Sequence, residues 1–149
     1  DKKKKICYNK SKYGLNRFKI TKKSNNQGGT VDYRNKAINC VKDTVLLEQK
    51  RQFEECGYNL DEQYKKYGNT EALFAEIIEA GHIYEIGYPK CVCPEVLSGK
   101  INNPLHCECS RQSILYIIGN LLPDKNINVE MIETVLSGAK KCRFRVSVS

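Results

Sequence analysis

The chain has 149 residues, 40% of them apolar, a formal net charge of +8 and eight cysteines. That length suits one domain with an arm, and it can bury a sizeable core without covalent staples. No apolar run reaches the roughly 18 residues of a membrane span and no segment reads as a signal peptide, so the expected setting is reducing and cytoplasmic; the chain opens on Asp1 and not on methionine, which leaves a lost leader open.

The charge is unevenly spread. Residues 1–36 hold 12 Lys/Arg against 2 Asp/Glu, whereas residues 37–149 hold 13 against 15. The reading is a basic N-terminal arm over 1–35 and a nearly neutral domain over 36–149. Lys2 to Lys5 and the Lys22-Lys23-Ser24-Asn25-Asn26-Gln27-Gly28-Gly29 stretch have the composition of a solvated segment. Such an arm can attract nucleic acid or anionic lipid. A solubilising arm is the commoner case. The domain lacks the basic, aromatic-studded face of a nucleic-acid reader, so nucleic acid is not the expected partner.

Apolar residues at helical spacing, from Ile38 and Val41 through Val45, Leu46 and Leu47 to Phe53, predict a helix over 36–56 that Gly57 ends. Asn59, with Glu62 at the capping-box position, predicts a second, shorter helix broken at Gly68-Asn69. Leu73, Phe74, Ile77 and Ile78 predict a third over Thr70 to Ala80. His82 to Tyr88 is aromatic and β-branched and predicts a strand. Pro89 interrupts it. Pro94 to His106 carries Ser98-Gly99 and Asn102-Asn103-Pro104 and predicts a loop. Ser110 is placed to cap a helix to Leu122, with Pro123 beyond it. Val129 to Leu136 predicts a strand with Val129, Met131, Glu133 and Val135 on one face. Cys142 to Val148 predicts another, with Cys142, Phe144, Val146 and Val148 inward and Arg143 and Arg145 toward solvent. The expected fold is α+β: N-terminal helices, then an antiparallel sheet in the order strand-strand-helix-strand-strand, with helices packed on one face.

The chemistry concentrates in two short pairs, Cys91-Val92-Cys93 and Cys107-Glu108-Cys109, thirteen residues apart. Residues i and i+2 of a strand share a face, so a hairpin through the pairs would converge four thiols. Tetrahedral thiolates suit zinc, although Cys-x-x-Cys is the usual knuckle; two disulfides are the competing use. Cys142, opening the last strand, is a fifth candidate ligand. Cys7, Cys40 and Cys56 read as inert positions. His106 could replace a thiol, but a single histidine at a loop end is more often a surface residue, and so is His82. The Tyr84, Ile86 and Tyr88 stripe reads as core that can also line a ligand pocket. Cys107 or Cys109 at a helix N-terminus could be an activated thiolate, which keeps a small hydrolase or thiol-dependent enzyme as the alternative function.

Residues 82–148 resemble the small-molecule-binding domains of the 4-vinyl-reductase type. The resemblance is carried by Cys109-Ser110-Arg111 and by the ending Val129-Glu130-Met131-Ile132-Glu133 … Ser137-Gly138-Ala139-Lys140-Lys141-Cys142-Arg143-Phe144-Arg145-Val146. The Tyr88-Pro89-Lys90-Cys91-Val92-Cys93-Pro94 and Cys107-Glu108-Cys109-Ser110 stretches are similar to cysteine-rich bacterial relatives, some likened to aminothiazoline-carboxylate hydrolases. The resemblance implies a zinc held by cysteines and a glutamate beside an apolar pocket. It implicates Cys142, one of Cys107 or Cys109, and Glu130 or Glu133. Thr134 stands where the zinc-binding relatives carry a further cysteine, so the extra thiol of each pair is expected to compensate. The functional expectation is a sensory or binding domain for a small apolar or aromatic molecule. A homodimer is left open.

Overall fold

The computed structural model describes residues 31–149. Its compact unit runs from Asp32 to Ser149. Cys7 and residues 1–30 of the expected basic arm lie outside the described residues, whereas its last residues, from Asp32, belong to the compact unit.

The stretch expected as one helix over 36–56 is two, α1 (Tyr33–Val41) and α2 (Val45–Glu55). The start lies upstream because Asp32 accepts the Asn35 N–H at 3.0 Å, an N-cap four residues before the expected beginning. The break falls at Thr44, whose backbone is not helical and whose hydroxyl donates back to the Cys40 carbonyl. Gly57, at φ +67°, provides the left-handed exit from α2. Asn59 caps α3 (Leu60–Tyr67) by accepting the Glu62 N–H, as its sequence position implies.

The third expected helix is instead a strand, β1 (Phe74–Glu79). Its apolar residues fall in adjacent pairs, a pattern that fits a helical stripe and a strand with apolar groups on both faces equally well. Tertiary pairing decides between them. The Ala75 N–H donates to the Gly68 carbonyl at 2.6 Å, and β1 pairs antiparallel with β2 (Ile83–Tyr88) from Phe74–Gly87 to Glu79–Ile83.

After α5 (Glu108–Leu121) come β3 (Ile127–Glu133) and β4 (Cys142–Val148), and the four-stranded antiparallel sheet has the order β1-β2-β4-β3. The α+β class therefore stands, with different segments filling the strand positions. One sheet face, through Tyr84, Ile86, Val129, Phe144 and Val146, packs on Ile114, Ile118 and Leu121 of α5 and on Phe53, Leu60 and Tyr64 of the N-terminal helices. Arg111 pins α5 to the sheet by donating to the Val129 carbonyl at 3.1 Å. Opposite, Glu85 accepts from Arg145 at 2.6 Å and from Arg143 at 3.2 Å. These arginines are thus ion-pairing groups and not merely a solvated face.

Two further expectations are corrected. The strand over 129–136 stops at Glu133, and Thr134 caps a 3-10 turn over Val135–Ser137. The register also slips between Met131 and Glu133, which sets Glu133 opposite Arg143, off the face of Val129 and Met131. Nor do the cysteine pairs sit on paired strands. Cys91 and Cys93 follow the end of β2, Cys93 capping the short helix α4 (Pro94–Leu97). Cys107 ends a 3-10 turn over Pro104–Cys107, and Cys109 lies in the first turn of α5, which starts at Glu108, two residues before Ser110. Pro89, Pro94 and Pro104 have no N–H for a sheet ladder, and this explains why the hairpin does not form.

Candidate metal centre and its cavity

The thiols converge by another route. A cavity of about 390 Å³ opens between α1, α2, α5, the cysteine-bearing segment after β2 and the start of β4. Cys91, Cys93, Cys107, Cys109 and Cys142 all line it, with Cys40 of α1 and His106. The remaining wall is mostly carbon: Val41, Val45, Leu73, Ile86, Ile114 and Ile117 among others. No disulfide joins any of the seven described cysteines.

Three donor atoms stand within 4.8 Å of one another: the Cys93 thiol, a Glu95 carboxylate oxygen and a His106 ring nitrogen. His106 Nε2 is 3.2 Å from Cys93 Sγ and 3.4 Å from Glu95 Oε2. This group could hold a metal ion. Local structure explains the placement. Cys93 and Glu95 are the cap and second residue of α4, so one turn presents both. His106 sits in the 3-10 turn that Asn103 caps by accepting the Leu105 N–H. Its ring is only 4% exposed and meets the Tyr33 ring edge-on, centroids 6.0 Å apart. From α1, Lys36 Nζ reaches Glu95 Oε2 at 2.5 Å. The Lys36 hydrogen bond holds the Glu95 carboxyl below its ordinary range.

A deeper set comprises the buried Cys107 and Cys142 with half-buried Cys91, close enough for the charges of their thiolates to interact, and Cys107 lies near enough to Cys93 to sense its charge as well. The sulfurs are spread more widely than the Cys93 group, so an ion there would draw them inward. A protein donor already points at one of them: the Val135 N–H donates to Cys142 Sγ at 3.4 Å.

Burial pushes the Cys107 and Cys142 thiols up, and burial with the nearby Cys40 and Cys93 thiols pushes Cys109 up to about 11. A thiol nucleophile needs the opposite shift. The start of α5 thus offers Cys107 and Cys109 no activation that outweighs burial. A bound cation would take the place of the thiol protons.

Ile86 and Tyr88 line the cavity, and the Tyr88 ring meets Phe144 edge-on. Tyr84, on the same strand face, is buried elsewhere with its hydroxyl donating to Asp61 at 2.6 Å. Glu130 is exposed beside Asn128, and Glu133 lies 3.4 Å from Arg143 Nε. Neither glutamate belongs to the Cys93 group. Glu95 is the member that sequence reasoning passed over, though Cys93-Pro94-Glu95 is a helix start that brings a thiol and a carboxylate to one turn. Cys40, read as inert, borders the cavity from α1.

Among the described residues no helix is long and apolar enough to cross a membrane. Comparison with protein-family models, with curated proteins and with solved structures yields no match.

Proposed function

We propose that the domain binds a small apolar or aromatic molecule in this cavity, beside a zinc ion held by cysteines. The observation that carries the reading is the convergence of six cysteines and a buried histidine on one carbon-walled space. Thiolate and imidazole are soft donors that suit zinc and not magnesium or calcium. The zinc position assigned here is the deeper one. Cys91 comes from the segment after β2, Cys107 from the turn before α5 and Cys142 from the start of β4. An ion shared by these three would tie three elements into the cavity floor. The Val135 hydrogen bond to the Cys142 sulfur would stabilise thiolate charge, as outer partners of metal ligands do. The likeness to 4-vinyl-reductase-type binding domains points the same way.

Elemental analysis of protein purified without chelator is expected to find about one zinc or more per chain, reduced in Cys142→Ser. Indole is a suitable pocket probe, because the chain contains no tryptophan to mask its emission. Its fluorescence should change on binding to the wild-type protein and much less with the Ile117→Phe variant, which fills the cavity without adding an indole. Protein that carries no metal and leaves indole emission unchanged would refute the proposal.

A further inference from the structure

We infer that Cys93, Glu95 and His106 form a second metal position, separate from the deeper cysteine set and open toward the cavity. The inference rests on the metal-holding reading above, yet it can fail independently of it. One thiolate, one imidazole and one carboxylate make three protein ligands. In tetrahedral sites that count leaves a fourth place for a water or a bound ligand, whereas four protein ligands close the site. Cys93 and His106 border the cavity, and Glu95, half-exposed, stands at its outer side, which gives an ion an entry path.

The position is built before any ion arrives. Buried His106 directs Nε2 at both partners, 3.2 Å from the sulfur and 3.4 Å from the carboxylate. Tyr33 braces the ring, and Lys36 fixes the carboxylate from α1 through the same oxygen that faces the histidine. An ion bound to that oxygen must loosen Lys36 or take the other oxygen, so occupancy is coupled to the seating of α1. The deeper sulfurs come from other elements, and that of Cys142 has its own hydrogen-bond donor in the Val135 N–H.

The open place faces carbon. The ligand class that satisfies both is a small apolar body with an anionic oxygen chelating group, one oxygen taking the fourth place and the second expanding the metal to five-coordinate. Benzohydroxamate is a direct probe of that combination.

Metal-free, reduced full-length protein is titrated with Co²⁺ and followed by its thiolate charge-transfer and ligand-field absorption. Wild type is expected to take two equivalents per chain. His106→Gln and Glu95→Gln should each take one, and Cys142→Ser should lose the other. Glu95→Gln changes a half-exposed side chain, so it keeps the test valid if the buried His106→Gln variant fails to fold. Benzohydroxamate should shift the ligand-field bands of wild type and of Cys142→Ser but not those of Glu95→Gln. A single equivalent that Cys142→Ser abolishes and Glu95→Gln leaves intact overturns the second position while sparing the deeper zinc. A single equivalent with the reverse dependence removes the deeper zinc and overturns the two-position arrangement. No cobalt binding overturns both.

Discussion

The space between the sheet and α5 is finished differently at its two ends. Toward the chain terminus of β4, Tyr84, Ile118, Phe144 and Val146 are each 1% exposed or less and the packing is closed. At the start of β4, around Cys91, Cys107 and Cys142, about 390 Å³ is left open and sulfur replaces much of the carbon. Cavities in cores cost on the order of 24 cal/mol per Å³. An unfilled space of this size would thus forgo several kcal/mol, although its opening to solvent lessens that loss. Set against the roughly 5–15 kcal/mol of a typical domain, the difference teaches a division of labour. The closed end holds the fold together, and the open end has room for an occupant that would return stability on binding.

The largest expected effect separates the two ends directly. Phe144→Ala, at the closed end, should cost about 3–5 kcal/mol in urea unfolding. Ile117→Ala, whose side chain already borders the open space, should cost only about 1 kcal/mol because little packing is lost there. Equal losses would break the comparison.

Gly87 joins the ends and should give the next largest effect. A Cβ at this position would lie 1.9 Å from the Cys142 carbonyl oxygen and 2.8 Å from the Phe74 ring. Gly87→Ala must therefore displace the first residue of β4, at a cost of about 2–3 kcal/mol. Since that residue is Cys142, the bound zinc should fall along with the unfolding midpoint.

The smallest effect belongs to the outer sheet face, away from the cavity. The Arg145 hydrogen bond, assisted by the Arg143 charge, holds buried Glu85 below the ordinary carboxylate range. A depressed carboxylate contributes stability above its unfolded pKa and loses that contribution as pH falls through the folded one. Glu85→Gln should thus lower stability by about 1 kcal/mol at neutral pH, with the gap to wild type closing at an acidic pH where the carboxyl is protonated in both the folded and the unfolded chain. Metal content should not change. Thermal unfolding at the two pH values, with zinc measured in parallel, checks both statements.

What the sequence discloses follows the same division. The β4 strand is legible to the residue because its alternation is strict and one face is buried. The helix from Asn59 is legible because its cap is local. β1 is not, since its paired apolar residues fit two periodicities and only the register with β2 chooses between them. At the open end, the cysteines attract notice through their residue type, but the geometry that gathers them does not. Spacing two apart suggested strands, whereas three prolines and two short turns bring the thiols together. His106 could be named as a ligand from its neighbour Cys107, yet its burial beneath Tyr33 depends on α1, over sixty residues away in the chain. Glu95 depends on the turn at Pro94 in the same way.

The central claim is that the open end holds zinc through cysteine sulfur. X-ray absorption at the zinc edge of the full-length protein, purified without chelator, tests it most directly. The account predicts sulfur scatterers at about 2.3 Å, with a smaller nitrogen or oxygen shell near 2.0 Å. Zinc surrounded by nitrogen and oxygen alone, or no zinc in the sample, would contradict it.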